Sequence, residues 1–277
     1  MHAYPPDRHH LRDLRFSILR GPGRPDRILL PIVPEIRTPA GTIALGVLAT
    51  AVDLAAAGAA MRAIAPDWLA TADLEIHARG DDAVGLAVAE PRLLRSGRTT
   101  AVYDVAVTGY ASEADTASGT GVPLAQSTMT FVRITRPDAT TGLEHPDEPT
   151  EESRVDFALE DSGLAKPLFE ELGLRTLDAK AGVLELPASA FVANSFGSLQ
   201  GGLVAALAQA ACEAASHARR GGDPAATDLS VHYLAQGRGP YRTRCELLRA
   251  SPHADLHRVE ITDAGTGTLM ATATTTS

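Results

Sequence analysis

Two stretches decide the reading of this chain. They are Thr38-Pro-Ala-Gly-Thr-Ile-Ala-Leu-Gly46-Val-Leu-Ala-Thr-Ala-Val-Asp53 and Asn194-Ser-Phe-Gly-Ser-Leu-Gln-Gly-Gly202-Leu-Val-Ala-Ala-Leu-Ala-Gln209. They align without a gap, 156 residues apart: Gly41 falls on Gly197, Gly46 on Gly202 and Asp53 on Gln209. Only the first carries a carboxylate inside its apolar run. Only the second carries the Asn, the Gln at 200 and the paired glycines. A polar set divided in this way points to one site built from both halves.

The repetition continues downstream. Thr71-Ala-Asp-Leu-Glu-Ile-His77 matches Ala226-Thr-Asp-Leu-Ser-Val-His232, and Leu93-Leu-Arg-Ser96 matches Leu247-Leu-Arg-Ala250. Two copies of this length are not a solenoid, whose repeats are shorter and more numerous. They read as a duplicated domain, each copy near single-domain size.

Composition narrows the function classes. The 277 residues are 44% hydrophobic and 4% aromatic, enough for two cores built mainly from Ala, Val and Leu. A net charge of −9 with no basic block argues against nucleic-acid binding, which needs a clustered Lys/Arg face. Cys212 and Cys245 make no disulfide framework, and Met1 to Arg20 has no apolar core of signal-peptide length, so a cytoplasmic protein is expected. From Thr42 to Ala65 only Asp53 and Arg62 are charged, a length that suits a membrane span. The Ala/Gly content and the central carboxylate favour a buried core helix instead, and no membrane partner is expected.

The predicted order is the same in both copies. In the first, a strand at 27–33 precedes a helix at 44–64 and strands at 69–79, 84–94, 98–110 and 122–135. In the second, a short helix at 162–172 and a strand at 182–187 precede a helix at 200–219 and strands at 227–236, 241–250, 255–263 and 268–275. The boundaries are an N-terminal extension 1–26, irregular in part, a domain 27–137, an acidic linker 138–153 and a second domain 154–277. A helix apolar on every side must be enclosed. An antiparallel sheet curled around one long central helix encloses it, in an α+β arrangement, and the two copies then pair as an internal pseudo-dimer.

These residues resemble the hotdog-fold acyl-CoA thioesterases, in particular the phenylacetate-pathway type. That family's pattern is Asn-x-x-Gly-x-Leu-His-Gly-Gly with an Asp nine residues after the His. The second copy matches through Asn194, Gly197, Leu199, Gly201 and Gly202, with Gln200 in place of His and Gln209 in place of Asp. The first keeps Asp53 but has Thr38, Ala44 and Leu45 at the Asn, His and first Gly positions. The resemblance covers nearly the whole chain and implies a tandem (double) hotdog, a cytoplasmic thioesterase acting on acyl-CoA, no cofactor or metal, and a homo-oligomer, a dimer of double hotdogs. It also implies a composite site: Asn194, Gln200, Gly201 and Gly202 from copy two, Asp53 and Thr71 from copy one. Of these, Asp53, Gly201, Asn194 and Thr71 are the expected catalytic residues, and Gln200 and Gly202 the substrate-binding ones. The mirror-related set of Thr38, Ala44, Leu45, Gln209 and Ala226 is expected to be dead.

The chemistry fits thioester hydrolysis. Asp53 is general base or nucleophile. The Gly201 N–H, at a helix start, is a donor for a developing oxyanion. Asn194 orients water or the carbonyl, and Thr71 holds the water. Arg238, Arg242, Arg244 and Arg249 are candidates for CoA phosphates or solvated strand residues. His253 and His257 lack a third ligand, Cys212 reads as a small buried residue, and His77 and His232 as structural. A non-catalytic acyl-CoA or lipid-binding hotdog protein, or a hotdog hydratase or dehydratase, are the competing readings.

Overall fold

The computed structural model of the chain describes residues 4–65, 67–79, 84–135 and 147–277. The first half contains α1 (His10–Asp13), β1 (Ser17–Arg20), β2 (Arg27–Pro31), the long α2 (Leu45–Ile64), β3 (Trp68–Ala78), β4 (Leu86–Ser96), β5 (Thr100–Tyr110) and β6 (Val122–Ile134). The second contains β7 (Ser153–Asp156), α3 (Leu168–Glu171), β8 (Arg175–Asp178), β9 (Val183–Leu186), the long α4 (Gly201–Arg220), β10 (Asp228–Tyr233), β11 (Tyr241–Ala250), β12 (Asp255–Asp263) and β13 (Leu269–Thr276).

Among the described residues these strands form one antiparallel sheet of thirteen, in the order β7-β1-β2-β4-β5-β6-β3-β10-β13-β12-β11-β9-β8. From β1 to β3 the order is β1-β2-β4-β5-β6-β3; beyond it, β10-β13-β12-β11-β9-β8 is the same sequence of elements reversed. The halves meet at the β3–β10 ladder, where Leu74 lies opposite Val231 and Ile76 opposite Leu229. On the outer face of that ladder His77 pairs with Asp228 at 2.7 Å and His232 with Asp73 at 2.6 Å. The Asp-x-x-x-His spacing common to both segments thus supplies two reciprocal His–Asp hydrogen bonds at the junction. Both Leu-Leu-Arg segments also carry a β-bulge, at Leu93/Arg95 and Leu247/Arg249.

The sheet encloses both long helices. The consecutive residues from Leu45 to Val52 point around the whole of α2, and all are buried. The membrane-like composition of this segment is therefore that of a core helix packed on the sheet on one side and on α4 on the other. The two helices cross at close range. A methyl group on Gly202 would sit 2.5 Å from the Thr50 Cα, and one on Gly46 would sit 2.6 Å from the Ala206 nitrogen. Gly46 and Gly202 are aligned residues of the repeat, as are Thr50 and Ala206, so one small-residue contact is made twice.

The structure departs from the sequence-based expectation at the margins. The helix expected over 162–172 forms only over Leu168–Glu171, because Pro167 sets its start and Gly173, at φ +72°, its end. Part of the N-terminal extension is regular: β1 pairs with β2 on one side and β7 on the other. β7 and β8 have no buried residues, so they carry no apolar alternation to read. Of the expected acidic linker, residues 138–146 lie outside the described residues.

Candidate active site

Asp53 lies on α2, two turns after Gly46, and is 9% exposed. A carboxylate in this position must find polar partners within the fold. It has two. Thr71 Oγ1 donates to Oδ1 at 3.2 Å, and Gln200 Nε2 donates to Oδ2 at 3.0 Å. Burial raises its pKa to about 6 against the opposing effect of the Thr71 hydrogen bond. The group thus changes charge only just below neutral pH, where a general base is effective.

A β-bulge aims Thr71. Strand alternation groups Thr71 with Asp73, Glu75 and His77, whose side chains point away from the helices. Between Thr71 and Asp73 the β3–β6 register slips by one residue, so Thr71 is opposite Phe131 and Asp73 opposite Thr130. The slip turns Thr71 toward Asp53, the kind of re-aiming that bulges perform beside functional sites.

Gln200 is the N-cap of α4, and its side chain does two jobs. Its Oε1 accepts from the Leu203 N–H at 3.2 Å, while its Nε2 reaches Asp53. Short N-cap side chains cannot span both. The next residue, Gly201, is pressed against the carboxylate: a methyl group there would lie 2.9 Å from Asp53 Oδ2. Its N–H has no acceptor among the described residues, as expected in the first turn of a helix, and the twenty-residue α4 adds its dipole at that point.

These residues line a cavity of about 550 Å³ whose walls include Met61, Trp68, Leu199, Val204, Leu234 and Met270. The volume suits a drug-sized ligand, and the few polar groups converge at Asp53. Of the six predicted site residues, Asp53, Thr71, Gln200 and Gly201 come together here. Asn194 lines the same cavity, but its amide is used locally. Oδ1 accepts from the Phe196 and Ser198 N–H groups at 2.9 and 3.0 Å. Its role in this structure is to hold the turn that presents α4, because an Asx turn satisfies those backbone donors. Gly202 faces Thr50 at the helix crossing and is not among the residues that line the cavity.

Two residues that sequence reasoning did not single out complete the site. Tyr233 donates its hydroxyl to Gly201 O at 2.9 Å, fixing the first peptide of α4. Tyr4 lines the cavity, and its phenol is pushed well up by burial and then by the Asp53 charge. Tyr4 is brought there by the residues that follow it. His9 Nε2 donates to Ala193 O at 2.8 Å and accepts at Nδ1 from the Leu11 N–H, and His10 Nδ1 donates to Phe191 O at 2.7 Å. Burial holds these imidazoles down, to about 4 and about 3, so both are neutral.

At the mirror-related positions Gln209 is turned onto its own hydrogen-bond partners. Gln209 Oε1 accepts from the Gly46 N–H at 2.9 Å, and Gln209 Nε2 donates to Glu213 Oε1 at 2.9 Å. Leu45 and Gln209 are fully buried. Of the candidate phosphate contacts, Arg238 donates to Phe196 O at 2.8 Å and Arg242 pairs with Glu185. Cys212 is buried against His257 and Ser277, and burial pushes its thiol up to about 11.

No protein-family model matches the sequence, and no curated protein matches it. The shape does match solved structures. A candidate thioesterase from Novosphingobium aromaticivorans superposes with a TM-score of 0.59 at 14% identity, over 90% of this chain and 94% of that one. A protein of unknown function with the hot dog fold, from Alicyclobacillus acidocaldarius, superposes with a TM-score of 0.58 at 14% identity, over 93% and 94%. The chain has the hotdog fold. A 12:0-ACP thioesterase from Umbellularia californica shares that fold with a TM-score of 0.57 at 13% identity, over 90% and 92%. Coverage of nine-tenths or more in each direction means that both halves of the hotdog sheet take part in these superpositions.

Proposed function

We propose that this chain is an acyl-CoA thioesterase built as a tandem hotdog, domain 27–137 followed by domain 154–277, with one composite active site. The observation that carries the reading is the Gln200–Asp53 hydrogen bond beside the unpaired Gly201 N–H. Copy one supplies the carboxylate and Thr71. Copy two supplies the helix start, and neither half holds a usable site alone.

In the reaction, the acyl carbonyl oxygen lies against the Gly201 N–H and the start of α4. A water beside Asp53 attacks the carbonyl carbon and gives its proton to the carboxylate. Negative charge moves to the carbonyl oxygen, where the helix N-terminus stabilises it. Collapse expels the CoA sulfur, which takes the proton from Asp53 and leaves as thiol, with the free acid as second product. Thr71 and Gln200 fix the carboxylate. Burial keeps it basic enough to accept the proton. The apolar wall from Met61 to Met270 receives the acyl chain.

Gln200 also favours a second reading. Its amide occupies a carboxylate lone pair that a catalytic water would use, an arrangement suited to a non-catalytic acyl-CoA or lipid-binding protein. A thiol-release assay over a panel of acyl-CoAs, with 12:0-ACP included because one protein of this fold acts on it, separates the two. Turnover with one thioether analogue bound per chain supports the enzyme. Tight analogue binding without turnover supports the binding protein.

A further inference from the structure

The chain holds a second cavity, of about 460 Å³, at the equivalent place on the other long helix. Ala210, Glu213 and His217 of α4 line it; 156 residues earlier, Leu54, Ala57 and Met61 of α2 line the first. Its walls are apolar through Phe169, Leu174, Leu184, Ala214 and Pro224. Its polar content is different. The first cavity has its carboxylate at Asp53. Here the aligned residue is Gln209, turned inward onto Gly46, and a carboxylate appears one turn further along, at Glu213.

Glu213 is 9% exposed. Its Oε1 is saturated by the Gln209 amide at 2.9 Å and the Ala226 N–H at 3.0 Å. Its Oε2 has no partner among the described residues. This oxygen, held in place by its twin, is open to the apolar cavity, where a ligand can supply its counterpart. The rest of the lining says what that counterpart is. Glu170 and Asp223 also line the cavity, both exposed, and no Lys or Arg does. His217 also lines the cavity, and its Nδ1 donates to Gly222 O at 2.6 Å.

We infer that this cavity is a second ligand site, for a small amphipathic organic cation whose ammonium pairs with Glu213 while its hydrocarbon part lies against Phe169, Leu174 and Leu184. Charge-assisted contact with a carboxylate supplies the orientation, and the apolar wall supplies the affinity. The anionic groups of CoA and of fatty acids would face Glu170, Glu213 and Asp223 here, with no Lys or Arg in the lining, so the two cavities take different ligands. This site does not depend on the thioester chemistry proposed for the first.

The test uses the full chain at pH 8, where Glu213, pushed by burial to about 7, is ionised. Hexylammonium, hexanol and hexanoate are titrated separately by calorimetry or ligand-observed NMR. Hexylammonium should saturate one site and bind at least tenfold more tightly than hexanol, with hexanoate weakest. E213Q should remove the preference for the cation, and a thioether analogue of acyl-CoA should not compete. Ala214→Trp, which fills the cavity from α4, should abolish hexylammonium binding and covers the case of an unstable E213Q. Equal binding of hexylammonium and hexanol, a preference that survives E213Q, undiminished binding to the Trp variant, or displacement by the thioether analogue would each overturn the inference.

Discussion

Gln200, at the N-cap of one long helix, donates its side-chain amide to Asp53 in the middle of the other, across 3.0 Å. The bond ties the two halves together at the one buried carboxylate of the first cavity. It also favours the charged form of that carboxylate. Gln200→Ala should therefore raise the Asp53 pKa further above about 6. The acid limb of kcat/KM, expected near pH 6 for the natural protein, should move to higher pH in the variant. A limb that stays in place would show that Gln200 does not act on Asp53 in solution.

Asp53 should cost stability when ionised. Its folded pKa, about 6, lies above the unfolded value near 3.9. The folded state therefore holds the proton more strongly. Stability from this group is full below about pH 4 and lost as pH rises through about 6. At pH 8 Asp53→Asn should be more stable than the natural protein, by about 3 kcal/mol, and the gain should shrink at pH 4. Equal unfolding midpoints at pH 8 would mean that the carboxylate is better solvated than its surroundings indicate.

The helix crossing has no spare room. Gly202→Val would drive side-chain atoms into Thr50 Cα and Oγ1, which belong to the backbone and core of α2. Overpacking of this kind costs about 1–3 kcal/mol, and more where backbone must move. Gly58→Val, on the same pair of helices but with open space at its Cβ, should cost much less. Chemical denaturation of the two variants checks the contrast.

Tyr4 should shape the cavity through the N-terminal segment that delivers it. Tyr4→Ala should raise KM for acyl-CoA severalfold while changing kcat less, because the ring lines the pocket without a hydrogen bond to Asp53. His9 and His10 work in the same direction at low pH. Their folded pKa values, about 4 and about 3, lie below the unfolded value near 6.5. The stability they allow is full above about pH 6.5 and lost as pH falls toward 4. Amide hydrogen exchange over residues 4–14 should accelerate in that window; a rate that tracks only the intrinsic chemistry would contradict the account.

Much of this was legible in the sequence, for identifiable reasons. The long helices and the two meanders repeat a pattern twice, and burial on one face gives each strand its alternation. Asp53 stood out because a lone carboxylate in an apolar run has to be partnered. What was not legible depends on contacts between distant segments. Tyr4 reaches the cavity only because His9 and His10 dock on Phe191 and Ala193, far away in the chain. Thr71 faces the site only because of a bulge, and alternation alone turns it outward. Asn194 and Gly202 belong to a motif that reads as a binding loop, but the Asn holds the turn and the glycine makes room for Thr50. Glu213 was not a site candidate because its aligned residue, Ala57, is silent.

The most direct measurement is thiol release from acyl-CoA by the natural protein and by Asp53→Asn, with binding of a non-hydrolysable thioether analogue measured on both. The account predicts saturable hydrolysis by the natural protein. It predicts a loss of at least ~10² in turnover for the variant, with analogue affinity retained at one equivalent per chain. A variant that hydrolyses within about threefold of the natural rate would contradict the role given to Asp53, and analogue binding without hydrolysis by either protein would leave a binding protein in place of the enzyme.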